Sequence, residues 1–198
     1  MLFVLLAAMA VALFATGLRM RRAEAKLKDY QREYGILDVE NPAMLHAVAR
    51  WTPEPGQWRW QVHFPPGKYE ICYATSEIPA HGFPKPGSWS RCDMSGEATF
   101  STVVYKDPLS GRWTARFSVD GSTTSRSLST CPMQAKMLEV SGVQWNQPPA
   151  IISPDKPLIL LRERIGKKQK DGSYQCSDLS DGLMIWIQRA GGASGGHP

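Results

Sequence analysis

A chain of 198 residues, 42% hydrophobic and 21% charged, is long enough for one packed domain with a short appendage, and seven Trp, six Tyr and six Phe supply bulky core material. That composition excludes wholesale disorder. The net charge of +5 does not mark a nucleic-acid partner, because residues 19–34 carry six Lys/Arg against three Asp/Glu and the rest of the chain is close to neutral.

The first eighteen residues, MLFVLLAAMAVALFATGL, contain no charged side chain. At ~1.5 Å per residue, Leu2 to Leu18 makes a helix about 26 Å long against a hydrocarbon core of about 30 Å. The span is short but adequate if the flanking Arg19, Arg21 and Arg22 snorkel to the headgroups. A single-pass transmembrane anchor over residues 1–18 is therefore expected, with the lipid bilayer as its partner. Small residues at Ala8/Ala10, Ala10/Ala12 and Ala15/Gly17 offer A-x-A-like cleavage sites, but no basic segment precedes the apolar run as in a signal peptide. The positive-inside count, taken literally, puts the following domain in the cytoplasm. An aromatic β domain with an even cysteine count points outward instead, so the side is left open with a lean to the outside.

Over residues 19–35, Met20, Ala23, Leu27, Tyr30 and Tyr34 recur at helical spacing between charged residues, and Gly35 supplies a stop. This predicts a basic, amphipathic juxtamembrane stalk. Two heptads are too few for an independent coiled coil, so the stripe is expected to pack on the chain's own domain.

From Ile36 to residue 190 the pattern changes to short apolar segments separated by Pro, Gly, Asn and Asp. Trp58 to Phe64, a Pro65-Pro-Gly-Lys68 loop and Tyr69 to Tyr73 predict a hairpin with Phe64 opposite Tyr69, Val62 opposite Ile71 and Trp60 opposite Tyr73, all on one apolar face. His63 then faces Glu70. Phe100 to Tyr105, a loop over 106–111 and Arg112 to Val119 predict a second hairpin, pairing Val104 with Trp113, Thr102 with Ala115 and Phe100 with Phe117. Further strands are expected over Leu45 to Trp51, Met137 to Val143, Pro157 to Ile165 and Leu183 to Gln188, with Asp-Gly turns at 120/121, 171/172 and 181/182. The fold class is thus mainly β: an antiparallel β-sandwich or small barrel after a transmembrane helix and a short stalk helix. Gly121 to Thr130 and the Gly/Ser tail over 191–198 read as solvated, flexible chain. Residues 79–90, with three Pro and two Gly, form a long loop.

Chemistry-bearing residues do not converge in one dimension. Cys72, Cys92, Cys131 and Cys176 match no zinc-ligand spacing, contain no CxxC pair, and could form two disulfides in any of three connectivities. No two histidines lie at metal-binding spacing, and no G-x-G-x-x-G, Walker lysine loop or G-x-S-x-G elbow occurs. No catalytic residue, cofactor or metal ligand is therefore assigned. The hairpin register puts Trp58 and Trp60 in the core; Trp51 and Trp89, in loop surroundings near prolines, are better candidates for exposed aromatics.

Residues 32–49 (REYGILDVENPAMLHAVA), 52–60 (TPEPGQWRW), 65–69 (PPGKY) and Tyr73-Ala-Thr75 carry a resemblance. They are similar to uncharacterised single-pass membrane-anchored β-domain proteins of planctomycete-type bacteria, over about the first 80 residues. The resemblance implies the same architecture and brings no activity and no site residue with it. The P-P-G-K-Y turn also resembles hairpins of transthyretin-like and collagen-adhesin B-type modules. The expectation is a membrane-tethered, non-enzymatic module with a binding or structural role at the cell envelope. An accessory subunit of a larger membrane assembly is the alternative, followed by an enzyme whose site is built from loops.

Overall fold

The structure, a computed structural model, describes residues 2–85, 88–92, 94–128 and 135–191; the side chains of residues 2–8, 10–12, 28–29, 31–33 and 88–92 lie outside that description. One continuous helix, α1 (Leu2–Tyr34), replaces the expected separate span and stalk. It stops at Gly35, whose φ of 63° suits glycine and where a Cβ would sit 2.8 Å from the Ala49 carbonyl oxygen. Among the described residues no helix is long and apolar enough to cross a membrane. The anchor expected over 1–18 falls largely on Met1 and on side chains outside the described residues. The stalk stripe does not pack on the domain as expected: Met20, Leu27, Tyr30 and Tyr34 are all more than half exposed.

The rest is mainly β, with every paired strand antiparallel, and consists of two sheets around a shared core, as in a β-sandwich. The first sheet runs in the order β10 (Ala150–Ile152), β1 (Leu45–Arg50), β2 (Gln57–Phe64), β6 (Gly96–Lys106), β7 (Trp113–Val119), β8 (Ser122–Ser127). The second runs β5 (Ser88–Cys92), β3 (Tyr69–Ala74), β15 (Gly182–Arg189), β11 (Leu158–Ile165), β9 (Leu138–Gly142). Two short ladders complete it, β12 (Lys167–Lys168) with β13 (Tyr174–Gln175), and β4 (Ile78–Pro79) with β14 (Leu179–Ser180).

The expected first hairpin does not form. β2 pairs with β1 and β6, β3 pairs with β15 and β5, and residues 65–68 carry the chain from one sheet to the other. The face assignment survives: Trp60, Val62, Phe64, Tyr69, Ile71 and Tyr73 are all buried in the shared core, and the Phe64 and Tyr69 rings are 5.0 Å apart across the corner. A sheet-crossing arch and a hairpin impose the same alternation about a turn; they differ in whether side chains or backbones meet. Pro65 and Pro66 have no N–H to give to a ladder, which favours the arch. His63 accordingly does not face Glu70. Its Nε2 lies 3.3 Å from the Pro42 carbonyl oxygen, while Glu70 accepts from Gln188 Nε2 at 3.3 Å.

The second hairpin forms with its register moved by two residues, so Val104 faces Ala115 and Phe100 faces Val119. An even shift keeps every side chain on its expected face. The cause is Asp107, which closes the turn one residue late: its N–H donates to the Arg112 carbonyl at 2.8 Å, and its carboxylate accepts from Ser110 Oγ at 2.7 Å and Leu109 N at 3.0 Å. Those bonds, the Ser110 one first, hold its carboxyl below the usual range. The Ser/Thr-rich stretch is also not flexible chain throughout, since residues 122–127 form edge strand β8 after a turn in which Asp120 (φ 41°) and Gly121 (φ 89°) are both left-handed. Residues 129–134 and the tail over 192–198 lie outside the described residues. The end of the Pro-rich loop belongs to the unexpected strand β5, which begins at Ser88.

Candidate functional site

On the described surface, exposed aromatics and cations meet in a concave region at the junction of α1 with the first sheet. Its first wall is the β1–β2 loop. Thr52 Oγ1 donates to the Gln57 carbonyl at 2.6 Å, Gln57 N donates to the Glu54 carbonyl at 3.3 Å, and Gly56, at φ 76°, accepts from Val104 N at 2.8 Å. The loop is thereby folded back on the sheet, and Trp51 stands 59% exposed. The second wall follows β9. Val143 N donates to the Leu160 carbonyl at 3.0 Å, and a turn with Asn146 at φ 64° leaves Trp145 47% exposed. Between the walls lies Trp60, 1% exposed, whose indole N–H donates to the Val143 carbonyl at 2.9 Å and ties the first sheet to the end of β9.

Two adjoining hollows of about 450 and 480 Å³ share Arg50, Trp51, Arg59 and Trp145, and Tyr34 at the end of α1 lines the second. Volumes of this order suit a small ligand or one segment of a longer one. Arg50 is held in place, donating from Nη2 to Gln61 Oε1 at 2.5 Å and from Nε to the Gly35 carbonyl at 3.4 Å. The Arg59 side chain is exposed, and its guanidinium makes no hydrogen bond or ion pair with a described residue. The cleft thus offers two indole surfaces beside two guanidinium groups, one of them positioned and one available.

The cysteines lie elsewhere. Cys72 and Cys176 are free thiols. Cys72 is buried on the second sheet, and its thiol is pushed up to about 12 by burial first and the Glu70 charge second, which makes it unreactive as a nucleophile. Cys176 is half-buried, with Sγ 3.5 Å from the Arg164 carbonyl oxygen. The Cys92 side chain and all of Cys131 lie outside the described residues, as does the side chain of Trp89. Among the described residues no group of three His, Cys, Asp or Glu could hold a metal ion.

The other strongly perturbed group is Glu163, 2% exposed on β11 between Val140 and Leu183 of the neighbouring strands. Its Oε2 has no hydrogen-bond partner, and burial raises its carboxyl to about 7. Neither Glu163 nor Cys72 lines the cleft. No family model, no curated relative and no solved structure matches this chain. The site therefore stands on its geometry.

Proposed function

We propose that this chain is a membrane-tethered, non-enzymatic binding module of the cell envelope, and that its ligand is an acidic glycan seated in the aromatic cleft. The observation that carries the reading is the pairing of exposed Trp51 and Trp145 with Arg50 and Arg59 in one hollow. Indole faces cover the flat apolar side of a sugar ring, and guanidinium groups bind carboxylates through two parallel hydrogen bonds. A non-enzymatic role is supported by the position of the perturbed groups, since Glu163 and Cys72 are buried outside the cleft. The tether reading is supported by the uncharged N-terminal run, its basic flank and the resemblance over about the first 80 residues. A glycan ligand fits the lean to an outward-facing domain.

The test is a tryptophan-fluorescence titration of the full chain in detergent with a hexamer of galacturonic acid and, as the neutral control, a hexamer of glucose. Saturable quenching by the uronate alone is expected, weakened about tenfold or more in both Trp51→Ala and Arg59→Ala, as for loss of a stacking or bidentate contact. Absence of saturation with either sugar, or unchanged uronate affinity in both variants, sinks the proposal.

A further inference from the structure

The exposed stripe of α1 has a period that selects its partner. Met9, Leu13, Thr16, Met20, Ala23, Leu27, Tyr30 and Tyr34 recur at alternating spacings of four and three, the 3.5-residue repeat of a two-helix seam rather than the 3.6 of a helix lying on a sheet. In the polar half the pattern is sharp. From residue 20 to 34 all five seam positions are apolar, and of the ten others only Ala25 is neither charged nor polar. Met20 at 64%, Leu27 at 58% and Tyr34 at 65% exposure show how much of the seam is uncovered in the single chain.

Two heptads alone could not sustain a helix in isolation, since nucleation is costly. Here they form the C-terminal part of one 33-residue helix, so that cost does not fall on the seam alone. The flanking charges match a second copy. Arg19 immediately precedes the seam position Met20, and Glu24 immediately follows Ala23. In a parallel pair, positions five residues apart on opposite helices face each other, which sets Arg19 against Glu24 of the partner subunit twice, by symmetry.

We propose that α1 pairs in parallel with α1 of a second copy of this chain along Met20, Ala23, Leu27, Tyr30 and Tyr34, with Arg19 of each copy against Glu24 of the partner subunit. Tyr34 ends this seam and also lines the cleft, so pairing brings the two ligand sites to the same end of the helix pair.

The test uses the full chain in mild detergent. Ala23→Cys and Leu27→Cys, oxidised with copper phenanthroline, should yield covalent dimer in excess of the parent, whose own four cysteines set the background. Ala25→Cys, on the opposite face, should stay at the parental level. Arg19→Glu should weaken dimerisation about tenfold, because two exposed pairs turn from attraction to repulsion. Adding Glu24→Arg to Arg19→Glu should restore it. Equal cross-linking from Ala25→Cys, or a double charge reversal no tighter than the single one, overturns the proposal. So does a chain that remains monomeric with seam cysteines uncoupled, an outcome that assigns the stripe to a different membrane protein.

Discussion

Glu163 gives the sharpest physical test of the core. Its carboxyl moves from 4.5 to about 7 because it is buried, with Oε2 lacking a hydrogen-bond partner. In the unfolded chain the group ionises as pH rises through 4.5, whereas in the folded chain it keeps its proton up to about 7. The folded state therefore binds the extra proton in that window, so the contribution of Glu163 to stability falls as pH rises from 4.5 to 7 and levels off above it. At about 1.4 kcal/mol per unit the fall is on the order of 3 kcal/mol, a large share of a typical domain's stability. Glu163→Gln keeps the shape and has no proton to lose. Urea unfolding of the full chain in detergent, followed by tryptophan fluorescence, should give a variant-minus-parent difference that grows by about 3 kcal/mol across the window in favour of Gln. A difference that stays constant with pH refutes the reasoning, because the ionisation of Glu163 would then be the same folded and unfolded.

Trp60→Ala should cost roughly 3–5 kcal/mol, by emptying the core beneath the cleft and removing the bond to Val143, while Arg59→Ala should stay within about 0.5 kcal/mol; equal denaturation midpoints contradict the face assignment. Gly182→Ala should lower the thermal midpoint, since a Cβ there would lie 1.9 Å from the Glu163 carbonyl oxygen and β11 and β15 would have to separate, at a cost of about 1–3 kcal/mol or more; an unchanged midpoint means the strands are not so close. Near pH 8, Cys72 should react with a chromogenic disulfide reagent only after unfolding, because its thiol stays protonated up to about 12; rapid reaction in the native chain shows that the site is open. With the domain outside, Cys176 should react with a membrane-impermeant maleimide in intact cells, and labelling confined to lysed cells places the domain in the cytoplasm.

The positions and faces of most of the longer strands were legible in the sequence; the short and edge strands and sheet membership were not. Trp58 to Phe64 and Tyr69 to Tyr73 alternate in the same sense whether the chain turns back beside itself or crosses to the opposite sheet. The distinguishing fact is which distant strands satisfy the backbone, here β6 for β2 and β15 for β3. No local pattern encodes a partner some forty residues away, as for β2, or more than a hundred away, as for β3. The two-residue register shift at Asp107 is a different matter. Its cause was present in the Asp107-Pro-Leu-Ser110 sequence, since an Asp side chain that bonds two residues ahead opens the turn at its own position. The edge strand β8 was hidden by composition, because Ser and Thr serve a solvated strand as readily as a loop.

The cleft was half visible. Trp51 is followed by Thr52 and Pro53, and the alternation of β2 sends Arg59 to the face opposite Trp60, so both could be placed on the surface from local sequence. Trp145 carried an equivalent signal in the following Asn146-Gln-Pro148-Pro149, which marks a loop and hence an indole with no strand face to hide on. What no local reading supplies is their meeting. The β1–β2 and β9–β10 loops are some ninety residues apart, and they come together because β10 pairs with β1 while β9 belongs to the other sheet. The chain between β9 and β10 must therefore pass from one sheet to the other, and Trp145 is carried on that crossing. The same crossing anchors Val143, whose carbonyl receives the Trp60 N–H. The core residue that supports the cleft and the loop that walls it are consequently set by one long-range contact, and Trp60 is the point at which loss of packing becomes loss of the site.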